Sequence, residues 1–137
     1  MGNSIAPVAM GDLSNYTQDH DKLAAQTIHF AYDSAVVRDS EQANIQAVAQ
    51  ELQNNANEAL LVEGNCDERG TEEYNRSLGE RRALAAREAL AKLGINPDRV
   101  REISYGKDKP ADPGHDDAAW SKNRRDDFVV LIPKQGV

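Results

Sequence analysis

Cysteine is almost missing from this chain. Cys66 stands alone among 137 residues, which excludes an intrachain disulfide and leaves the redox compartment open. Long apolar runs are missing too, so no membrane-crossing helix is expected. Basic residues are the minority, 16 Lys and Arg against 23 Asp and Glu, for a formal net charge of −7. That balance argues against nucleic acid as a partner, because its binders present a basic surface. Histidine is scarce, and His20, His29 and His115 show no metal-ligand spacing, so neither a metal nor another cofactor is expected. The opening Met1-Gly2-Asn3-Ser4 lacks a basic segment followed by an apolar one, so no signal peptide is read there. Internal repeats and low-complexity segments are absent as well.

What is there fits one globular domain with its own core: 39% apolar and 28% charged residues over 137 positions. Residues 1–25 mix small and polar types with little periodicity and read as a flexible arm or tether, with the domain over 26–137. Residues 27–32 (TIHFAY) alternate and are rich in β-formers, which predicts a first strand, followed by a turn at Asp33-Ser34. Asp39 with Gln42 three residues later has the form of a capping box. Ile45, Val48, Ala49 and Leu52 then recur at helical spacing to about residue 53. Residues 59–66 begin with a continuous apolar run, the mark of a central strand. A long helix follows to Gly94, with Pro97 just beyond as a stop signal. Residues 100–105 predict a strand, 116–123 a short helix and 128–132 a last strand ended by Pro133. The order βαβαβ(α)β implies an α/β fold (an α+β sandwich): a four-stranded mixed sheet with two main helices on one face. Strands joined through full helices should run parallel, and the last strand antiparallel to a neighbour.

The densest chemistry lies in residues 63–83, EGNCDERGTEEYNRSLGERRA, where a strand end passes through a charged loop into the long helix. Such loops are where α/β folds place ligands. Wound at 3.6 residues per turn, residues 71–94 gather Tyr74, Leu78, Ala85, Ala86, Ala89 and Leu93 in one apolar arc. Asn75 and Arg82 fall inside that arc, with Thr71 at its amino end, while Arg81 falls at its edge. A buried arginine requires a partner, and Asp67 is the local candidate. Two readings stand: a structural Asp67–Arg82 ion pair, or a cleft that offers one anion and one cation to a zwitterionic ligand. Thr71, Asn75 and Leu78 share Arg82's face as a pocket wall, with capping open as an alternative for Thr71 and core packing for Leu78.

The same stretch, with SYGKDKP at 104–110 and GHDDAAWSKNRR at 114–125, resembles the OmpA-like peptidoglycan-binding family, most closely its Pal-type lipoprotein subgroup. The likeness covers residues 28–133. It implies non-covalent binding of the meso-diaminopimelate of a peptidoglycan stem peptide, tethering the outer membrane to the cell wall from the periplasm. It places the ligand's ammonium at Asp67 and its carboxylate at Arg82, whose planar fork suits a carboxylate better than lysine does. It adds the backbone of the Tyr32-Asp33-Ser34 turn and the Arg125 segment as ligand contacts. It implies a TolB-like propeller protein as a partner competing with the wall, a monomeric domain, and a lipid anchor on an amino-terminal cysteine. No cysteine lies near this start, so a form without export signal and anchor is expected.

Departures from the subgroup's pattern are Asn65 in place of His, Cys66 in place of a small residue, and Asp126-Asp127 where many relatives are apolar. Alternatives are another envelope anchor, of flagellar stator or porin type, or a cell-wall hydrolase. No pattern names a base for Cys66 as a nucleophile, and Asp67 with Arg82 is not a carboxylate dyad, so an enzyme is not expected.

Overall fold

Leu60, Leu61 and Val62 are each almost fully buried, which requires cover on both faces of the strand that carries them. The structure, a computed structural model, describes residues 13–134. Its strands are β1 (Tyr16–Asp19), β2 (Ile28–His29), β3 (Ala59–Asn65), β4 (Val100–Gly106) and β5 (Arg125–Pro133). Its helices are α1 (Gln42–Asn54), α2 (Glu72–Lys92) and α3 (Asp117–Asn123). The sheet order is β1-β5-β3-β4, with β2 pairing on the same side of β5 as β1. β3 and β4, joined through α2, run parallel, whereas β5 is antiparallel to β3.

The α/β class holds, with one strand more than expected. β1 lies in the segment read as a tether, and its residues pair with Val130 to Pro133 at the end of β5. Residues 1–12 of that segment lie outside the described residues. The first strand is shorter than the predicted 27–32, because the backbone beyond Phe30 turns toward an arginine instead of the sheet. The last strand starts three residues earlier than predicted, at Arg125.

One core lies between the sheet and α1 and α2. Ile45, Val48 and Leu52 of α1 and Ala83, Ala86 and Leu90 of α2 meet Leu60, Val62, Phe128 and Val130 of the central strands. The opposite face buries Ala59, Leu61, Val129 and Leu131 beneath Leu13 and Tyr16. The proposed capping box does not form. Residues 39–41 make a 3₁₀ turn, α1 starts without a side-chain cap, and the carboxylate of Glu41 accepts the His29 N–H at 2.9 Å.

The buried face of α2 is Asn75, Leu78, Gly79, Arg82, Ala83, Ala86 and Leu90. That face is rotated from the expected arc: Tyr74 is 44% and Leu93 38% exposed. Gly79 causes the shift, because α2 crosses β3 backbone to backbone there. A Cβ on Gly64 would strike the Gly79 carbonyl, and one on Gly79 would strike Ser104 Oγ. The helix ends in a Schellman motif, with Gly94 at φ 94° and the Ile95 N–H reaching the Leu90 carbonyl at 3.1 Å.

Candidate functional site

The parallel pair β3 and β4 ends at one rim of the sheet, where Asn65 lies beside Gly106. The loop from Cys66 to Thr71 leaves β3 there and is fastened at several points. Cys66 N–H donates to the Gly106 carbonyl at 2.8 Å, and its thiol to the Asn75 carbonyl at 3.2 Å. Asn75 Nδ2 donates to the Arg69 carbonyl at 2.8 Å, and Lys107 Nζ to that of Gly70 at 2.9 Å. Gly70 turns the chain at φ 98°, a left-handed value that glycine adopts without a Cβ penalty. Thr71 Oγ1 then accepts the Tyr74 N–H at 3.1 Å and caps α2.

A cleft opens above this loop, lined by Tyr32, Asp33, Asp67, Asn75, Leu78 and Arg82 among others. Arg82 is 1% exposed, and its partners are all backbone. Nε donates to the Ser34 carbonyl at 2.8 Å, Nη1 to Asn65 at 2.9 Å and Nη2 to Ala31 at 3.2 Å. No carboxylate lies within ion-pair distance of it among the described residues. Burial lowers its pKa, but a guanidinium stays charged. Each guanidinium nitrogen thus has a carbonyl, which uses three of its five N–H groups.

Asp67 does not pair with Arg82. Its Oδ1 accepts the backbone N–H of Arg69 at 2.9 Å and Nε at 3.2 Å, and its Oδ2 accepts Nη2 at 2.9 Å. Arg124 Nη1 stands 3.6 Å from Oδ2. Burial works to raise the Asp67 carboxyl, but the hydrogen bonds from Arg69 outweigh it and hold the group below its ordinary value. Arg69 itself is clamped, 4.2 Å from the Tyr32 ring centre and 4.0 Å from that of Trp120. Trp120 Nε1 donates to Glu68 at 2.8 Å, and His115 Nδ1 lies 2.8 Å from the same carboxylate.

Asp33 lines the cleft at φ 55° and accepts a hydrogen bond from the Tyr74 hydroxyl. Ser34 contributes its carbonyl to Arg82 and its hydroxyl to the Val36 N–H. Asn75 and Leu78 stand in the wall, whereas Thr71 is an exposed cap outside it. Arg125 is apart from the cleft: its guanidinium reaches Asp127 at 3.0 Å and the Lys109 carbonyl at 3.0 Å. Of the cleft side chains, Arg69 was not singled out from the sequence, and neither was Trp120, which stacks on it. The signal for Arg69 was an aspartate two residues before it, since an Asx turn brings the i+2 N–H to the carboxylate.

The three sequence blocks therefore meet at one rim, presenting a carboxylate and a buried guanidinium around one opening. The sequence pattern of the OmpA family matches residues 29–124. A peptidoglycan-associated lipoprotein of Agrobacterium fabrum is 42% identical over 91% of this chain and 73% of its own length. One from Pseudomonas putida is 41% identical over 74% of this chain, which spans 61% of that relative's length. The crystal structure of the peptidoglycan-associated lipoprotein from Burkholderia pseudomallei superposes with a TM-score of 0.75 at 42% identity, covering 87% of this chain and 99% of that one.

Proposed function

The chain belongs to the OmpA family, and on that premise we propose that it is a non-catalytic peptidoglycan-binding domain of the Pal type. The ligand is the free end of a diaminopimelate residue in a stem peptide, which carries an ammonium and a carboxylate on one carbon. One observation carries this reading: Arg82 is buried at the cleft with backbone carbonyls but no carboxylate for company, so an anion arriving there meets an unneutralised cation. Asp67 receives the ammonium on the other wall, and the Asp33-Ser34 turn closes the third side. Identity of about 40% to relatives named for peptidoglycan association favours this reading over a stator or porin anchor. The domain acts as a monomer in the periplasm, held to the outer membrane through a lipid, and a TolB-like propeller protein competes with the wall for the same rim.

Calorimetric titration tests this with two muropeptides, one bearing diaminopimelate and one bearing lysine, which lacks the terminal carboxylate. The diaminopimelate ligand binds and the lysine ligand loses about 2–3 kcal/mol, the scale of charge-assisted hydrogen bonds. Asp67→Asn loses less, because the ammonium there only exchanges with the Arg69 guanidinium, and the muropeptide is recovered uncleaved. Equal affinity for the two ligands would rule out Arg82 as the carboxylate subsite, and cleaved product would restore the hydrolase alternative.

A further inference from the structure

Asp126 is fully buried, and neither of its carboxylate oxygens has a hydrogen-bond partner among the described residues. It sits on β5 in alternation with Phe128 and Val130, which places it on the face that α2 covers. The residues across from it are Gly64 on β3 and Ile28 on β2, and neither offers a polar side chain. Burial pushes its carboxyl well above the ordinary range, and the charge that opposes this most strongly is Arg82. Asp127 and Arg125 flank it along the strand, and the Cys66 thiol at the end of β3 shares the same field. An isolated carboxylate is too costly to keep ionised in such a place, so it takes up a proton or leans on a cation. Arg82 is the available cation, and it too lacks a carboxylate within ion-pair distance among the described residues. Two opposite charges, each without a partner of its own kind, thus face one core.

We infer that Asp126 and a ligand carboxylate compete for Arg82 from opposite sides, so that filling the cleft draws a proton from solvent onto Asp126. This rests on the reading of Arg82 as the carboxylate subsite. An anion in the cleft neutralises Arg82 and removes the attraction that favours the ionised Asp126. Linkage makes the effect reciprocal: once rising pH strips the proton from Asp126, its charge cancels Arg82 and the ligand is held less tightly. The neighbouring titratable groups stand around Asp126 on β2, β3 and the loop after β3. His29, beside Ile28 on β2, has its pKa lowered by burial, and comparison with Asp126→Asn isolates the Asp126 proton from it. Asp67 stays ionised below its ordinary range, and burial pushes the Cys66 thiol up to about 11.

The test is calorimetric titration of the diaminopimelate muropeptide into the parent and into Asp126→Asn, in buffers of different ionisation heat, from about pH 5 to about pH 9. In the parent, the binding heat depends on the buffer and reports net proton uptake, and affinity falls about fivefold or more as pH rises. Asp126→Asn keeps the low-pH affinity across the series, with heats independent of buffer. Parent heats that are the same in every buffer at every pH overturn the inference without recourse to any variant. Uptake that persists in Asp126→Asn overturns it equally. Absence of binding at any pH sinks the cleft reading and the coupling together, whereas binding without uptake sinks the coupling alone.

Discussion

Replacing Arg82 separates the backbone propping seen in the structure from the ligand-holding role proposed for it. In Arg82→Met the shape is nearly kept, but the carbonyls of Ala31, Ser34 and Asn65 lose their donor. A hydrogen bond from a charged group contributes about 1.5–3 kcal/mol. The three do not add fully, because two of them lie partly open to solvent and water can replace the donor there, whereas the bond to Asn65 is buried. Removing the burden of a desolvated guanidinium returns part of the loss. The expected net cost is about 3–4 kcal/mol, a large share of the roughly 5–15 kcal/mol that holds a domain of this kind together. Arg82→Lys keeps the charge and one donor direction, and should recover about half of that loss while still failing to grip a carboxylate with two parallel bonds. Urea unfolding measures both through the midpoint at constant slope. Muropeptide titration of the same samples then shows affinity lost in both variants although stability differs between them. Arg82→Met within about 1 kcal/mol of the parent would refute the propping role, since the carbonyls would then be satisfied without the arginine.

Gly79→Ala places a methyl against Ser104 Oγ and the Gly64 carbonyl, and should cost about 2–3 kcal/mol by overpacking. Because the clash tilts α2 away from β3, thermal unfolding and muropeptide affinity should fall together, and an unchanged melting temperature would mean the two backbones are not in contact. Cys66 has its pKa raised by burial from 9.0 to about 11, so the fold favours the protonated thiol. That contribution is fully present below the unfolded-state pKa and is lost as pH rises through the folded value, about 2–3 kcal/mol in all. Stability of the parent measured against Cys66→Ala should therefore narrow between about pH 9 and pH 11, and parallel curves would contradict the burial.

The elements with local signals were legible. A continuous apolar run dictated β3, and glycine followed by proline dictated the end of α2. β1 was not legible because YTQD carries no run of β-formers, and only pairing with residues more than a hundred positions away makes it a strand. The long helix required a partner for Arg82, yet that partner proved to be three carbonyls from residues 31, 34 and 65, where periodicity carries no information. The first strand stops early for the same reason, since the backbone at Ala31 and Ser34 serves the guanidinium. Arg125 and Asp126 alternate across β5, so the basic pair Arg124-Arg125 divides between two environments: Arg124 reaches Asp67 and Arg125 reaches Asp127.

The pairing of Asp67 with Arg69 bears on how such a site works. A ligand ammonium cannot simply add to this carboxylate, whose oxygens already accept two side-chain bonds and one backbone bond from Arg69. It must share the site or displace a guanidinium that two aromatic rings hold in place. Binding is then an exchange of one cation for another, and the net gain is the difference between two charge-assisted contacts, with modest affinity as the consequence. On the carboxylate side no guanidinium has to be displaced, since carbonyls hold Arg82 and only the buried Asp126 competes for its charge. On the proposed assignment, the selectivity of the cleft therefore resides more in the ligand's carboxylate than in its amine. A modest single-site affinity suits an anchor on a polymer that presents the same stem peptide many times over. Holding strength there comes from many anchors engaged at once, and each can still release and rebind as the wall moves.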